Sequence, residues 1–197
     1  MRKNKKAVKI KKNEKVLIVI DMQNDFLTGS LSCASETKIE QLLTNVDNKI
    51  NEYESNNCRI FYTMDTHDSD YLNTREGKYL PVEHCEKDSW GWQLEERIKD
   101  RAFTYAKSSI VLKDRFGAVY PWADESFFEP NTDIEIIGVA TNICVISNAL
   151  ILRSFFPEIN ISVDASCCMG TNLSDHYKAL SIMEDCHIDI TNNKKGE

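Results

Sequence analysis

The sequence predicts an α/β fold of three layers, a doubly wound, mainly parallel six-stranded sheet of the Rossmann-like kind. Three observations carry that prediction: a β-branched run, VLIVID (16–21), that ends in Asp; an alternation of strand-like and helix-like segments repeated six times; and no repeat or low-complexity linker to divide the chain. A strand covered on both faces reads as a continuous apolar run. Regular alternation of strand and helix lays helices on both faces of a parallel sheet. With 197 residues the chain holds one such domain with a substantial core, and is too short for two typical ones.

The elements follow in order. VLIVID is a buried parallel strand, and residues 36–54 then set Ile39, Leu42, Leu43, Val46, Ile50 and Tyr53 at helical spacing. RIFYTM (59–64) is a second strand, a polar stretch runs to about 90, and 91–98 reads as a short helix. SSIVLK (108–113) and IEIIGV (134–139) are the third and fourth strands. A helix over 143–155, the strand NISVDA (160–165), a helix over 174–185 and the strand HIDI (187–190) complete the pattern.

Charge divides the chain into a basic extension, 1–14, and a body, 15–197. Residues 1–15 hold eight basic side chains against one acid, and without them 16 basic and 30 acidic residues leave a body near −14. Such an extension is either a solvated arm beside an acidic body or a contact for nucleic acid or anionic lipid; the solvated arm is the expectation. No apolar run reaches the ~18 residues of a membrane span, and VLIVI runs straight into polar residues, unlike a secretion signal. Seven cysteines, an odd number without CxxC spacing, fit a reducing, cytoplasmic compartment.

In parallel sheets the site lies at the carboxyl ends of the strands. Cys144 stands where strand four gives way to a helix, where N–H groups and the helix dipole favour a thiolate and an oxyanion. Asp21 and Lys113 end strands one and three. Taken singly, each has an ordinary reading: a packed cysteine, a capping aspartate, a solvent-reaching lysine. Together they make a nucleophile with a base and a cation, in which the lysine would lower the pKa of both neighbours.

DMQNDF (21–26), the lysine of VLKDRFGA (111–118), GVATNICVISNAL (138–150), VDASCCMG (163–170) and SDHYKALSIM (174–183) resemble the signatures of the isochorismatase-like cysteine hydrolases, a superfamily that contains the nicotinamidases. The resemblance runs from about 15 to 190. It implies Asp21, Lys113 and Cys144 as catalytic residues. It also implies a cis peptide between Val139 and Ala140 and an oxyanion hole of the Ala140 and Cys144 N–H groups. The implied activity is hydrolysis of a small amide to acid and ammonia through a thioester, with nicotinamide the first substrate to expect. A carbamoyl, ureido or maleamate-type amide is the alternative within the superfamily.

The loop TMDTHDSDYLNTREGKYLPVEHC (63–85) contains Asp65, His67, Glu76 and His84. Two imidazoles with carboxylates suit a divalent transition metal, but the spacing alone favours a solvent-facing loop with incidental histidines. The resemblance selects the metal reading: zinc first, iron or manganese next, with Phe26 as an aromatic wall of the substrate pocket. Two departures from the nicotinamidase pattern stand out: Leu80 precedes Pro81 where an aromatic is common, and Asn142 stands for a common Asp. Cys167, Cys168 and His176 read as structural. A homo-oligomer with a small-molecule substrate, and neither nucleic acid nor membrane as partner, is expected. The reading from another class is a non-catalytic α/β module that binds RNA or membrane through the basic extension.

Overall fold

The computed structural model describes residues 13–32 and 34–193. Most of the basic extension therefore lies outside the described residues, and the first strand already includes Glu14. The strands are β1 (Glu14–Ile20), β2 (Arg59–Asp65), β3 (Ser108–Lys113), β4 (Thr132–Val139), β5 (Asn160–Met169) and β6 (Asp189–Thr191). The helices are α1 (Asn24–Leu27), α2 (Glu36–Ser55), α3 (Arg75–Tyr79), α4 (Glu96–Thr104), α5 (Ile146–Phe155) and α6 (Leu173–Asp185). A 3-10 turn covers Tyr71–Asn73, and a π turn, Thr141–Val145, leads into α5.

The six strands form one sheet in the order β3-β2-β1-β4-β5-β6, and every pairing is parallel. Order reverses between β1 and β4, the switch point at which doubly wound sheets open a crevice. The sheet explains why β1 has no polar alternation. Val16, Ile18 and Ile20 pack on one side with Val145, Ala149 and Leu152. Leu17 and Val19 pack on the other with Leu42, Val46, Ile50 and Ile98. A strand buried on both faces needs apolar side chains at every position.

The structure moves several boundaries. The helix expected over 91–98 begins at Glu96 and runs to Thr104. Leu94 is held in an isolated bridge with Gln23, and the Glu95 side chain accepts from Arg97 N, so the helix starts only there. The strand expected to stop at 165 runs to Met169, because a register irregularity between Ile136 and Gly138 lets Cys168 and Met169 rejoin β4. Gly138 takes φ +120°, and a Cβ there would lie 2.1 Å from the Ile20 carbonyl oxygen, so β4 and β1 meet closely only at glycine. The last strand shifts to Asp189–Thr191 because His187 adopts a left-handed φ of 61°. Among the described residues, no helix is long and apolar enough to cross a membrane.

Candidate active site

Asp21, Lys113 and Cys144 come from three strand ends and meet at the carboxyl edge of the sheet. Asp21 directly follows β1 with φ 47°, a turn that swings its carboxylate across the strand ends. Thr63 fixes it: the Asp21 N–H donates to the Thr63 carbonyl at 3.2 Å, and the Thr63 hydroxyl donates to Asp21 Oδ1 at 2.6 Å. The other oxygen, Oδ2, faces Lys113 Nζ at 2.7 Å and takes no aligned hydrogen bond among the described residues. Lys113 Nζ also lies 3.0 Å from Asp65 Oδ1 and 3.7 Å from Cys144 Sγ. All four side chains are buried, Cys144 with 5% of its surface exposed.

Burial decides the electrostatics. It raises the Asp21 carboxyl above the usual carboxylate range, and the Lys113 charge only partly offsets it. Burial also pushes the Cys144 thiol well above the ordinary cysteine value, again against the pull of Lys113. Lys113 lowers both values as expected, but desolvation outweighs a single buried cation shared by three neighbours. Burial opposes charge on Lys113 as well, yet Asp21, Cys144 and Asp65 together hold the ammonium well above its ordinary value. The site is a charged Lys113 beside a protonated thiol.

The backbone around Cys144 has the form the resemblance implies. The Val139–Ala140 peptide is cis, and the Ala140 carbonyl accepts from both Ile143 N at 3.0 Å and Val145 N at 3.1 Å, closing the π turn. Asn148, fully buried on α5, ties this turn to the segment after β3. Its Nδ2 donates to the Cys144 carbonyl at 2.8 Å, and its Oδ1 accepts from Ala118 N at 2.9 Å and Trp122 Nε1 at 3.0 Å. Asn142 is turned away, exchanging hydrogen bonds of 2.9 Å with Thr171.

Beside the triad, Asp65, His67, Glu76 and His84 each offer a donor atom, and these atoms lie within 4.8 Å of one another. Asp65 closes β2, and the extended chain carries His67 to the same side, with His67 Nε2 at 3.2 Å and His84 Nε2 at 3.7 Å from Asp65 Oδ2. His84 Nδ1 donates to the Val82 carbonyl at 2.8 Å, which leaves Nε2 its lone pair for a metal. Burial would raise Asp65, but the neighbouring His67 and His84 rings and the Lys113 charge carry it well below the usual carboxylate range. Glu76, half-buried, is set by α3, whose first turn is capped by the Thr74 hydroxyl accepting from Gly77 N at 3.0 Å. Gly77 packs α3 on the preceding turn: a Cβ there would lie 2.2 Å from the Tyr71 carbonyl oxygen.

Several residues essential to this geometry are not legible in the sequence. Gln23 grips Asp65 by its backbone, accepting from Asp65 N at 2.7 Å and donating to Asp65 O at 2.8 Å. Asp25 holds the histidine loop, its Oδ2 accepting from Cys85 N at 2.7 Å. Tyr71 sets its ring 4.6 Å from His67 and 4.9 Å from His84, and its hydroxyl donates to Leu80 O at 3.0 Å. Phe26 also stands near His84, with ring centroids 5.6 Å apart. The polar residues of DMQNDF carry the signal for Gln23 and Asp25, for a buried amide or carboxylate directly after a buried strand must bond something. The cavity left between His67, Tyr71 and His84 is about 10 Å³, room for about one water.

This fold with this site defines a hydrolase of the α/β class, and an isochorismatase domain matches residues 15–194. The chain belongs to the isochorismatase-domain family. The nicotinamidase of Saccharomyces cerevisiae is 28% identical over 176 residues, which cover 69% of this chain and 80% of that protein. The nicotinamidase/pyrazinamidase from Bacillus subtilis superposes with a TM-score of 0.77 at 20% identity, covering 90% of this chain and 98% of that one. The pyrazinamidase of Pyrococcus horikoshii, solved in complex with zinc, gives 0.71 at 22% identity over 91% and 99% of the two chains. These structures share the fold.

Proposed function

We propose that this protein is a cysteine amidohydrolase that converts a small amide to its acid and ammonia through a thioester at Cys144, with nicotinamide as the substrate and nicotinate as the product. The observation that carries the reading is the meeting of Asp21, Lys113 and Cys144, with Lys113 Nζ 2.7 Å from the carboxylate and 3.7 Å from the sulfur. Burial raises both the thiol and the carboxyl, and Asp21 Oδ2 accepts the thiol proton as sulfur attacks the carbonyl carbon. The Ala140 and Cys144 N–H groups receive the oxyanion. Asp21 then gives its proton to the leaving ammonia, and the regenerated carboxylate activates water to hydrolyse the thioester. Lys113 holds the negative charge in place throughout.

Asp65, His67, Glu76 and His84 suit a divalent ion, zinc first and iron or manganese next, for two neutral imidazoles and two carboxylates balance its charge. When bound, the ion supplies a Lewis acid that can hold a ring nitrogen or a water. The Phe26 and Tyr71 rings then flank a flat substrate. Among the described residues six cysteines are free, and a reducing cytoplasm is the location that suits a thiol nucleophile. Ammonia release by the purified protein across nicotinamide, carbamoyl, ureido and maleamate compounds tests the reading. Nicotinamide is expected to be the best substrate, and turnover of another amide alone would move the assignment to that amide.

A further inference from the structure

A groove of about 610 Å³ opens between the start of α2 and the start of α6, lined by none of Asp21, Lys113 and Cys144. Its volume is that of a site for a small organic molecule. Its charge is unlike the rest of the protein. The chain as a whole is −7, yet no Asp or Glu lines the groove, and Lys38 does. The acids of the two first turns are engaged elsewhere. Asp175 is held by Asn172 Nδ2 at 2.7 Å and Lys178 Nζ at 2.9 Å, and Glu36 faces a different cleft.

Two helices of 20 and 13 residues begin at this groove, with their caps Ser35 and Asn172 among the lining residues. Each start offers unbonded N–H groups and the positive end of a helix dipole. The second observation is His176, buried to 8% exposure on α6 and also lining the groove. Its Nδ1 meets the Thr141 hydroxyl at 2.8 Å, and among the described residues Nε2 has no partner. Burial lowers the His176 pKa. In the tautomer in which the Thr141 hydroxyl donates to Nδ1, the ring hydrogen sits on Nε2, the nitrogen without a partner among the described residues. Gly170 brings the end of β5 against this residue, for a Cβ there would lie only 2.9 Å from His176 Cα, and this close approach closes the floor. Leu42, Met169, Leu173 and Tyr177 give the groove an apolar wall.

We propose that this groove is a second binding site, separate from Cys144, for a small carboxylate with an apolar body. The carboxylate is held by Lys38, His176 Nε2–H and the N–H groups at the start of α6, and its body lies on Leu173 and Met169. The site is connected to the nucleophile's turn through the His176–Thr141 hydrogen bond, three residues before Cys144.

Benzoate is the probe, titrated into the full chain by calorimetry and followed in backbone amide NMR spectra. Saturable binding is expected, with shifts at residues 34–45 and 168–177. Lys38→Glu, a surface change outside the proposed catalytic set, should weaken it about ten-fold and leave ammonia release unchanged. Benzyl alcohol, without the charge, and inorganic phosphate, without the apolar body, should each bind more weakly than benzoate. Equal affinity in Lys38→Glu, shifts confined to residues 65–85, or no saturable binding overturns the proposal. So does a concentration-dependent dimer that Lys38→Glu abolishes, for the groove would then belong to a second copy of the chain. The readout is binding, so it stands or falls independently of whether the protein hydrolyses amides.

Discussion

The triad and the metal group lie side by side but are built by different means. Asp21, Lys113 and Cys144 are placed by strand ends, with register pairs such as Asp65 with Lys113 and Ile20 with Gly138 setting their separation. Two of the four metal donors, Glu76 and His84, are placed by a loop whose shape depends on side chains remote in sequence. Asp25 reaches 60 residues to Cys85, and Gln23 reaches 42 to Asp65. A site on a sheet edge inherits its precision from the backbone ladder, whereas a site on a loop depends on individual buried hydrogen bonds. Damage to single polar residues should therefore show first at the metal group.

The largest effect breaks the triad itself. Cys144→Ala should remove turnover, a loss of about 10³-fold or more in kcat, while the thermal midpoint changes little, since a small residue fits the buried turn. Steady-state ammonia release and a melting curve measure both, and a tenth of the wild-type rate would exclude Cys144 as nucleophile.

Lys113→Met comes next and should harm both regions at once. Two buried carboxylates lose their common cation, at a cost of about 3–5 kcal/mol. The thiol pKa, already raised by burial, should rise further, moving the iodoacetamide alkylation profile of Cys144 to higher pH. An unchanged profile in a folded variant would show that Lys113 serves packing alone.

Glu76→Ala sharpens the contrast, because it should touch one region only. Metal content, read by elemental analysis, should fall with an affinity loss of about ten-fold or more, and KM should rise more than Cys144 alkylation slows. Full metal occupancy would show that another group completes the site.

The smallest effect is one of pH on the metal-stripped protein. Burial disfavours charge on His84, but the Asp65 carboxylate beside it and the hydrogen bond to Val82 raise its pKa above the ordinary histidine value. A group raised on folding stabilises below its unfolded pKa and loses that contribution as pH rises through its folded value. The metal-free protein should thus lose stability as pH climbs above about 6.5, and metal-loaded protein, whose ion replaces the proton, should not. Parallel melting curves of the two forms measure this. Identical pH dependence would mean that His84 gains nothing from its carboxylate neighbours.

The same contrast governs what the sequence makes legible. VLIVID and IEIIGV announce strands because their faces are largely buried, whereas SSIVLK is an edge strand with Leu112 exposed. Asp21 and Lys113 stand at two of the strand ends and Cys144 in the turn after the third. The four metal donors are visible only as residue types on a polar loop, and their convergence comes through the resemblance rather than from spacing. Tyr71 and α3 are invisible because the short turns of this loop have no periodicity to read. Gln23 and Asp25 stand in plain view, yet their partners lie far along the chain and only the folded structure supplies them. The direction of the thiol pKa is misjudged from sequence for a related reason: sequence shows the cation but not the depth of burial that outweighs it.

The central claim is covalent catalysis at Cys144, and rapid-quench mass spectrometry of the metal-loaded protein mixed with nicotinamide tests it most directly. The predicted result is a transient acyl adduct on the peptide containing Cys144, formed no more slowly than ammonia appears and absent in Cys144→Ala. Steady release of ammonia by the Cys144→Ala variant at the wild-type rate, with no adduct at any time in either protein, would contradict it.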